Sequence, residues 1–229
     1  MKIGYYAAAL GTMLPEQQLE VVANNLANVE TPGYKSDRVY FKDFMSEASY
    51  TRMDQGRLKQ TGSPFDVALE GEGLFKVQKD GKTLYTRNGN LKLDESQHLV
   101  TQEGWQVLGE SGPIQLTGSN DGIDPRIEQD GQIFDGKDQV ATLAVVKFAP
   151  TDRLRKTIHG YFEPENPNAA PSPVSNAQVQ QMFLEGANFE VPEEMASMIE
   201  ALRGVESFQK VMRAYQDIDS DMIRKLGSI

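Results

Sequence analysis

Few residues in this chain have the types and spacing that catalysis or metal binding requires. The two histidines, His98 and His159, are isolated in sequence, and neither belongs to a metal-ligand pattern. The absence of cysteine excludes disulfides, thiol catalysis and cysteine-based zinc sites. Carboxylate pairs are plentiful in so acidic a chain, and no pair stands out as the two acids of a glycosidase. We therefore predict no catalytic residue, no cofactor and no metal.

Two motifs resemble ligand-binding loops but lack a residue that the chemistry needs. Alternate aspartates at 217–221 resemble the start of a calcium loop, but the sixth position, which requires glycine, is Met222. Segment 71–73 resembles part of a dinucleotide fingerprint, but Lys76 replaces the third glycine and no helix follows. We therefore expect no small-molecule substrate.

The charge of the chain argues against two classes of partner. It carries 23 Lys and Arg residues against 33 Asp and Glu residues, a formal net charge of −10, without a basic tract. Such a surface has few cations to neutralise phosphates, which argues against nucleic acids and anionic membranes. The apolar run at 5–10 is far shorter than the roughly 20 residues of a membrane-spanning helix. Only Lys2 precedes this run and no small-residue cleavage site follows, so we expect no cleaved signal peptide.

The N-terminal 28 residues are predicted to be helical, because their apolar residues recur at spacings of three and four. Pro15 interrupts the pattern, and we expect it to kink the helix near Leu14 or to break it in two. The turn at 31–33 then sets the direction in which the chain leaves the helix. The apolar stripe comprises Ile3, Tyr6, Ala7, Leu10, Leu14, Val21, Val22 and Leu26.

The middle of the chain is predicted to be a compact, mostly antiparallel β domain. Short segments with alternating apolar residues are separated by Asp-Gly and Asn-Gly pairs, which supply the positive φ angles of tight hairpins. The polar segment 34–62 is expected to be extended or hairpin-like, and 164–173 a surface loop. The strand segments are 65–69, 74–78, 83–87 and 90–93, and the turn pairs are Asn88-Gly89, Asp121-Gly122, Asp130-Gly131 and Asp135-Gly136.

Residues from about 189 to the C-terminus are predicted to form one coiled-coil-like helix. Pro192 and the acidic pair Glu193-Glu194 are typical signals of a helix start. A heptad repeat follows, in which every core position except Asp219 is apolar or aromatic. Its two registers are Met198, Val205, Met212, Asp219 and Leu226, and Ala201, Phe208, Tyr215 and Met222.

These patterns predict an α+β fold, in which terminal helices form a coiled-coil-like domain and the middle forms an antiparallel β domain. The predicted boundaries are 1–33 for the N-terminal helix, 34–63 for an extended or hairpin connector, 64–187 for the β domain and 188–229 for the C-terminal helix. Neither apolar stripe has a partner adjacent in sequence. The helices can pair with each other, pair with copies in neighbouring subunits, or pack on their own β domain.

Four motifs, which together span nearly the whole chain, resemble signatures of the bacterial flagellar rod and hook proteins. Segment 23–35 reads Ala-Asn-Asn-Leu-Ala-Asn-Val-Glu-Thr-Pro-Gly-Tyr-Lys and is similar to the N-terminal signature of that family. Segment 183–195 resembles the signature that leads into the C-terminal helix of the family. Segments 66–75 and 85–90 are similar to central motifs of the rod subgroup.

Within this family the chain is most similar to the proximal-rod members, and the distal-rod members are the alternative. The short length, the Arg-Asn-Gly-Asn turn at 87–90 and segment 109–114 favour the proximal assignment. Two features depart from the family pattern. Pro15 lies in the expected helix, and Asn188 is flanked by alanine and phenylalanine, where serine and valine are usual.

The resemblance implies a structural protein and not an enzyme. In this family the terminal helices pair into a coiled coil that lines the inner tube, and the β domain forms the outer layer. The implied partners are other rod subunits and the flagellar export apparatus, and the implied location is the basal body, spanning the periplasm. The terminal helices are expected to be poorly ordered in the free monomer, because their apolar stripes are fully buried only between subunits.

We expect subunit assembly to use apolar residues of both helices together with the polar residues and the turn that end the first helix. The asparagines there are suited to hydrogen-bond neighbouring backbone. For each apolar residue, burial inside the chain's own core is the alternative, and a self-contained secreted β domain is the second hypothesis for the whole chain. The assigned residues are Leu10, Leu14, Val21, Asn24, Asn25, Leu26, Asn28, Thr31, Pro32, Gly33, Tyr34, Met198, Leu202, Val205, Phe208, Met212, Tyr215, Met222 and Leu226.

Overall fold

Both ends of the chain are long helices in the computed structural model, α1 at Lys2–Ala27 and α2 at Val191–Leu226. The structure describes residues 2–43, 46–116, 125–174 and 176–226. The chain forms two units. The helical unit comprises 1–29, 36–52 and 189–229, and the β unit comprises 30–35 and 53–188.

The α+β class predicted from the sequence is confirmed. Apolar residues at helical spacing form α1, and the acids Glu193 and Glu194 lie in the first turn of α2, where the helix dipole favours negative charge. Within the described residues, neither helix is both long and apolar enough to span a membrane.

The expected break at Pro15 does not occur, because α1 continues without interruption through this residue. A proline inside a helix removes one backbone hydrogen bond and crowds the preceding turn. Here the proline ring packs closely on α2, since a Cβ added to Gly204 would lie 3.1 Å from the Cβ and Cγ atoms of Pro15. Packing along the rest of α1 offsets the loss of a single bond.

A two-stranded hairpin completes the helical unit. Its strands are β1 at Asp37–Asp43 and β2 at Ser46–Thr51, and they pair antiparallel with Asp37 opposite Thr51. The register shifts between Phe41 and Asp43. This hairpin lies in the polar segment that the sequence predicts to be extended or hairpin-like.

The β unit consists of short strands that pair antiparallel throughout the described residues. A three-residue 3₁₀ turn lies at Ile158–Gly160. The strands are β3 Leu58–Gln60, β4 Val67–Glu70, β5 Leu74–Lys79, β6 Lys82–Thr86, β7 Leu91–Leu93, β8 Leu99–Thr101, β9 Gln106–Gly109, β10 Gly112–Pro113, β11 Arg126–Ile127, β12 Gln132–Asp135, β13 Asp138–Thr142, β14 Val145–Lys147, β15 Leu154–Lys156, β16 Phe162–Pro164, β17 Ser172–Pro173, β18 Gln178–Gln181 and β19 Phe183–Glu185.

The largest sheet has ten strands and the order β15-β16-β6-β5-β9-β8-β7, with β10 paired to β9, and β14 paired to both β5 and β17. A three-stranded sheet has the order β11-β12-β13, and the pairs β18-β4 and β19-β3 complete the unit. The strands β18 and β19 therefore return the C-terminal part of the β unit to strands formed near its start.

Of the three predicted turn pairs that the structure describes, two have a glycine at positive φ. Gly131 and Gly136 have φ angles of 84° and 66°, in the region that favours glycine, and they lie next to β12. The expectation is wrong for Asn88-Gly89, because the φ of Gly89 is not positive. A Cβ on Gly89 would lie 1.6 Å from the Val67 carbonyl oxygen, so the close approach of the backbone requires glycine there. The predicted turn at Asp121-Gly122 lies outside the described residues. The segment predicted as a loop connects β16 to β17.

The β unit has an extensive apolar core. A smaller cluster of Leu74, Tyr85, Val146 and Phe162 adjoins it, and Trp105 packs at the edge of the main cluster. The main cluster comprises Val67, Leu69, Phe75, Val77, Leu84, Leu91, Leu99, Val107, Ile114, Leu116, Ile127, Ile133, Leu143, Val145, Tyr161 and Val179.

Candidate assembly surfaces and chain junction

The two helices of the helical unit run antiparallel and pack against each other. Along the contact, the residue number on α1 rises by as much as the number on α2 falls, so one register holds over most of α1. The contacting pairs are Gly4 with Tyr215, Gly11 with Phe208, Pro15 with Gly204 and Asn25 with Glu194.

The apolar residues assigned from the sequence differ in how far this pairing buries them. Ala201 is buried, whereas Leu10, Leu202 and Met222 are exposed, and the side chain of Leu226 lies outside the described part of the chain. The remaining apolar assignments are half-buried, namely Leu14, Val21, Leu26, Met198, Val205, Phe208, Met212 and Tyr215.

Both helices also carry apolar residues that the pairing leaves exposed. We call these the outer faces. They follow spacings of three and four, so the residues of each set lie on one side of their helix. Met195 is 54% exposed and Ile199 is 52% exposed. The outer face of α1 comprises Tyr6, Leu10 and Met13, the outer face of α2 comprises Val191, Met195, Ile199 and Leu202, and further along α2 the residues Val211, Ile218, Met222 and Ile223 are exposed.

Asn25 joins the end of α1 to the start of β1. Its Nδ2 donates to the Asp37 carbonyl at 3.0 Å, and its Oδ1 accepts from the Asp37 amide at 3.0 Å. The side-chain amide of Asn25 therefore bonds both backbone groups of Asp37, as the backbone of a neighbouring β-strand would. Asn25 is fully buried, so the loss of these bonds would leave buried polar groups unpaired.

Glu194 adds α2 to this arrangement. It is also fully buried, and its Oε2 accepts from Asn25 Nδ2 at 3.2 Å. Arg38 Nη2 lies 2.5 Å from Glu194 Oε1 and forms an ion pair with it. We call Asn25, Arg38, Asp37 and Glu194 the Glu194 cluster. It connects both helices and the hairpin of the helical unit.

The other two assigned asparagines form a local bond at the end of α1. Asn28 Nδ2 donates to the Asn24 carbonyl at 2.9 Å and lies 3.1 Å from Asn24 Oδ1. Both bonds are exposed, so they contribute less than those of Asn25.

The hairpin side of the helical unit has a shallow cavity of about 160 Å³. Tyr40 lines it and meets Tyr50 edge to face, with ring centroids 5.7 Å apart. Both rings are partly exposed. The other lining residues are Leu14, Gln18, Val21, Val22, Asp37, Arg38 and Val39.

Within the β unit, a buried carboxylate fastens segments that are distant in sequence. Glu185 Oε1 accepts from Lys35 Nζ at 2.7 Å and from the Gly56 amide at 2.7 Å. Glu185 Oε2 accepts from Arg87 Nε at 2.5 Å. The side chains of Lys35, Arg87 and Glu185 are nearly inaccessible to solvent. We call these three residues and Gly56 the Glu185 cluster.

Both cations also donate to backbone carbonyls, which makes burial of the charges tolerable. Arg87 Nη1 donates to the Gly73 carbonyl at 2.6 Å, and Nη2 donates to the Leu69 carbonyl at 2.9 Å. Lys35 Nζ also donates to the Asp54 carbonyl at 2.6 Å. Burial lowers the pKa of Lys35, and the nearby Glu185 carboxylate opposes that shift.

The assigned turn at 31–33 is held at the same place. Gly33 has a φ of 67°, and its amide donates to the Glu185 carbonyl at 2.7 Å. A Cβ on Gly33 would lie 2.5 Å from the Arg87 carbonyl carbon, so a larger residue does not fit. Tyr34 is buried under Lys156, whose Nζ is 3.6 Å from the ring centroid and donates to the Lys35 carbonyl at 2.7 Å.

The cluster lies where the chain enters and leaves the β unit. Segments 30–35, 53–57 and 185–188 adjoin the boundaries of that unit, and each makes a bond to another of the three. The Gly186 amide donates to the Arg57 carbonyl at 2.8 Å, and the Asn188 amide donates to the Tyr34 carbonyl at 3.3 Å.

The sequence motifs include Lys35, Arg87 and Glu185 without predicting a role for them, and Glu194 is predicted only as an acid in the first turn of α2. Asp37 and Arg38 lie outside the motifs. A charged residue inside an otherwise apolar or glycine-rich motif was the available signal. Within the described ranges, no group of three or more histidines and acids is arranged to hold a metal ion. The bonds found here can fix chain segments and position helices.

Three protein-family models match parts of the chain. Flagella basal body rod protein matches 6–35, the flagellar hook protein FlgE/F/G D1 domain matches 68–134, and flagellar basal body rod FlgEFG protein C-terminal matches 180–225. Lys35, Arg87 and Glu185 each lie in a different one of these segments. The Glu185 cluster therefore joins all three.

Relatives along the full length agree with these matches. Flagellar basal-body rod protein FlgF of Rhizobium meliloti is 30% identical over 99% of both chains. The FlgF protein of Caulobacter vibrioides is 29% identical over 98% of both chains. Flagellar basal-body rod protein FlgG of Bacillus subtilis is 28% identical over 95% of this chain and 97% of its own.

Proposed function

The chain belongs to the family of flagellar basal-body rod proteins, and we propose that it is a structural subunit of the proximal rod. It assembles with other axial subunits into the shaft that transmits torque from the motor to the hook. Assembly uses the outer faces of the helical unit.

The exposure of these outer faces carries the proposal. Among the described residues, nearly all the exposed large apolar side chains belong to the helical unit, and Met53 and Met182 are those of the β unit. Contiguous exposed apolar patches mark interaction sites. Burial of one such side chain contributes on the order of 1.5–3 kcal/mol, so several per subunit can offset the loss of conformational freedom on assembly.

The proposal extends to location and export. The rod crosses the periplasm, and its subunits travel unfolded through the flagellar export apparatus, a route compatible with a chain that has no cysteine. Gly4 and Gly11 take part in the pairing with α2, which favours retention of the N-terminal residues in the mature subunit.

The direct test replaces outer-face residues in a strain whose sole copy of the gene carries the change. The triple variant Met195→Ser, Ile199→Ser and Leu202→Ser is expected to abolish swimming, because it removes apolar contacts between subunits. Basal bodies viewed by electron microscopy should then carry short rods without hooks. The free energy of unfolding of the purified monomer should change little, because these side chains are already exposed.

A matched control distinguishes the loss of the outer faces from the loss of any exposed apolar side chain. Met53 of the β unit is 44% exposed, similar to Met195, and Met53→Ser should leave swimming intact. Normal rods in the triple variant would contradict the role of the outer faces.

The distal rod is the second candidate, because FlgG proteins match almost the whole chain. Deletion of the gene distinguishes the two positions. Rods that stop within the proximal segment support the proposal, whereas rods that lack only the distal segment support the alternative. Complete flagella in the deletion strain would contradict both.

A further inference from the structure

The pairing of α1 with α2 contains two glycine sockets that face aromatic side chains. A Cβ on Gly4 would lie 2.5 Å from the hydroxyl oxygen of Tyr215, and a Cβ on Gly11 would lie 2.8 Å from Cζ of Phe208. Real side chains do not approach so closely, so each aromatic ring occupies space that only glycine leaves free. The two sockets are seven residues apart on α1, as the two rings are on α2.

In a third close contact the glycine is on α2 and the large residue is on α1. Gly204 of α2 faces Pro15 of α1, and a Cβ on Gly204 would lie 3.1 Å from the proline ring. The large residue is therefore on α1 here and on α2 at the sockets. A helix interior disfavours both glycine and proline, by about 1 and 3 kcal/mol respectively, so propensity does not explain this set of residues.

The heptad repeat of α2 by itself does not fix the alignment of the helices. Its apolar positions recur every seven residues, so a slide by one heptad presents a similar apolar stripe. Such a slide would place Ser197 or Val211 against Pro15, where a Cβ at the present spacing lies only 3.1 Å from the proline ring and is crowded. Either slide keeps only one of the two ring–glycine pairs. One direction places Tyr215 against Gly11 and Phe208 against Gln18, and the other places Phe208 against Gly4 and moves Tyr215 past the start of α1.

We propose that Gly4, Gly11 and Gly204 are the specificity determinants that select the register of the α1–α2 pair. Tyr215 packs against Gly4, Phe208 packs against Gly11, and Pro15 packs against Gly204. The glycines act as positioning residues, since they exclude the neighbouring heptad registers that the apolar stripe alone permits.

The register determines how much of α2 is available to another subunit. Because Gly4 faces Tyr215, the segment 218–226 extends past the start of α1. This segment carries the exposed residues Ile218, Met222 and Ile223, of which Ile223 is 72% exposed. A slide of one heptad would change its length by about two helical turns. This consequence rests on the proposed function, whereas the register itself does not.

Engineered disulfides can report the register, because the natural chain has no cysteine. The pair Pro15→Cys with Gly204→Cys places two Cβ atoms 3.1 Å apart, so a small separation of the helices reaches the roughly 3.5–4.5 Å of a disulfide, and it removes the third determinant. The pairs Pro15→Cys with Val211→Cys and Pro15→Cys with Ser197→Cys report the two slipped registers. The full-length purified chain is oxidised, and the yields of intrachain cross-link are compared.

With both sockets intact, the 15–204 cross-link should dominate. Gly4→Ala with Gly11→Ala should lower the ratio of native to slipped cross-links by about tenfold, a change on the scale of core overpacking. These substitutions favour helix formation, so a general loss of helix does not explain that result. Ala23→Leu, which adds bulk at an exposed α1 position, should leave the ratio unchanged.

A second variant tests the fit when the side chains are exchanged. Gly11→Phe with Phe208→Gly moves the knob to α1 and should restore the native cross-link, whereas Gly11→Phe alone should not. An unchanged ratio with both sockets filled, or no 15–204 cross-link with the sockets intact, would overturn the inference. Neither result would touch the proposed rod function, which is decided by the basal bodies of the deletion strain.

Discussion

The two units of this chain differ in how completely they bury their large apolar side chains. The β unit surrounds a continuous apolar core with antiparallel strands and leaves few large apolar side chains exposed. The buried apolar residues of the helical unit are small, namely Ala8, Val22 and Ala201 among the described residues, and its larger ones are half-buried or exposed. The β unit is therefore built to be stable alone, and the helical unit is built to be completed by neighbours.

Each unit nevertheless contains one buried glutamate that joins distant segments. Glu185 binds two cations and a backbone amide in the β unit, and Glu194 meets an asparagine and an arginine in the helical unit. The environments differ in the number of bonds that depend on the carboxylate. Glu185 therefore contributes more to stability than Glu194 does.

Removal of the Glu185 carboxylate should give the largest loss of stability. Glu185→Ala leaves Lys35 and Arg87 buried without their counter-charge, and the expected cost is about 3–5 kcal/mol. The single tryptophan, Trp105, lies in the β unit, so its fluorescence during urea unfolding of the full chain reports that unit. Glu95→Ala, at an exposed position, should change the free energy of unfolding by less than about 0.5 kcal/mol. Equal stability of the two variants would contradict the assigned role of the cluster.

Removal of the Asn25 side chain should affect the helical unit and spare the β unit. Asn25→Ala removes both buried bonds between the side chain and the Asp37 backbone, at an expected cost of about 1–3 kcal/mol. The helical far-UV signal should be lost at lower urea concentration, while the Trp105 transition stays in place. Asn24→Ala, which removes only exposed bonds, is the control. A shift of the Trp105 transition would show that the two units do not unfold separately.

The smallest effect concerns the pH range over which the β unit is stable. Tyr161 donates to Glu103 at 2.5 Å, and Thr101 lies 2.7 Å from the tyrosine hydroxyl. Burial and the Glu103 hydrogen bond raise the pKa of Tyr161 above its usual 10.0. Burial alone would raise the pKa of Glu103, but its hydrogen bonds, that from Tyr161 foremost, hold it below 4.5.

These shifts have opposite consequences at the two ends of the pH scale. The folded protein resists protonation of Glu103, so this contribution is lost as the pH falls below 4.5. It also resists deprotonation of Tyr161, so this contribution is lost as the pH rises above 10.0. In Tyr161→Phe both slopes of the free energy of unfolding against pH should become shallower, with Tyr50→Phe as the control. Unchanged slopes would exclude a role for this pair.

The elements of the fold follow from local patterns, and the two clusters do not. The strand segments at 65–69 and 74–78 overlap β4 and β5, because short apolar runs bounded by glycine-containing turns are local signals. Lys35 and Glu185 are 150 positions apart, and Arg87 and Glu185 are 98 apart. A charge inside an apolar or glycine-rich motif is a local sign of burial, but nothing local identifies the partner that the charge meets.

The candidate assembly surface was predictable only where its features are local in sequence. The heptad repeat predicts an apolar stripe on α2, but the stripe does not say which residues meet α1 and which remain exposed. Gly4 and Gly11 gave no signal, because glycine in a helical pattern indicates only low propensity until an aromatic ring is found opposite. The kink and the break expected at Pro15 could not be distinguished from the sequence, because the packing with Gly204 that accompanies an unbroken helix is not a local feature.

Hydrogen–deuterium exchange of the free subunit and of isolated basal bodies tests the contrast between the units most directly. In the free subunit, the amides of α1 and α2 should exchange about a hundredfold faster than those of β5 and β6, because the helices lack their full set of apolar contacts. In the assembled rod the helices should become as protected as the strands. Helices that are already equally protected in the free subunit, with no gain on assembly, would contradict the claim that neighbouring subunits complete the helical unit.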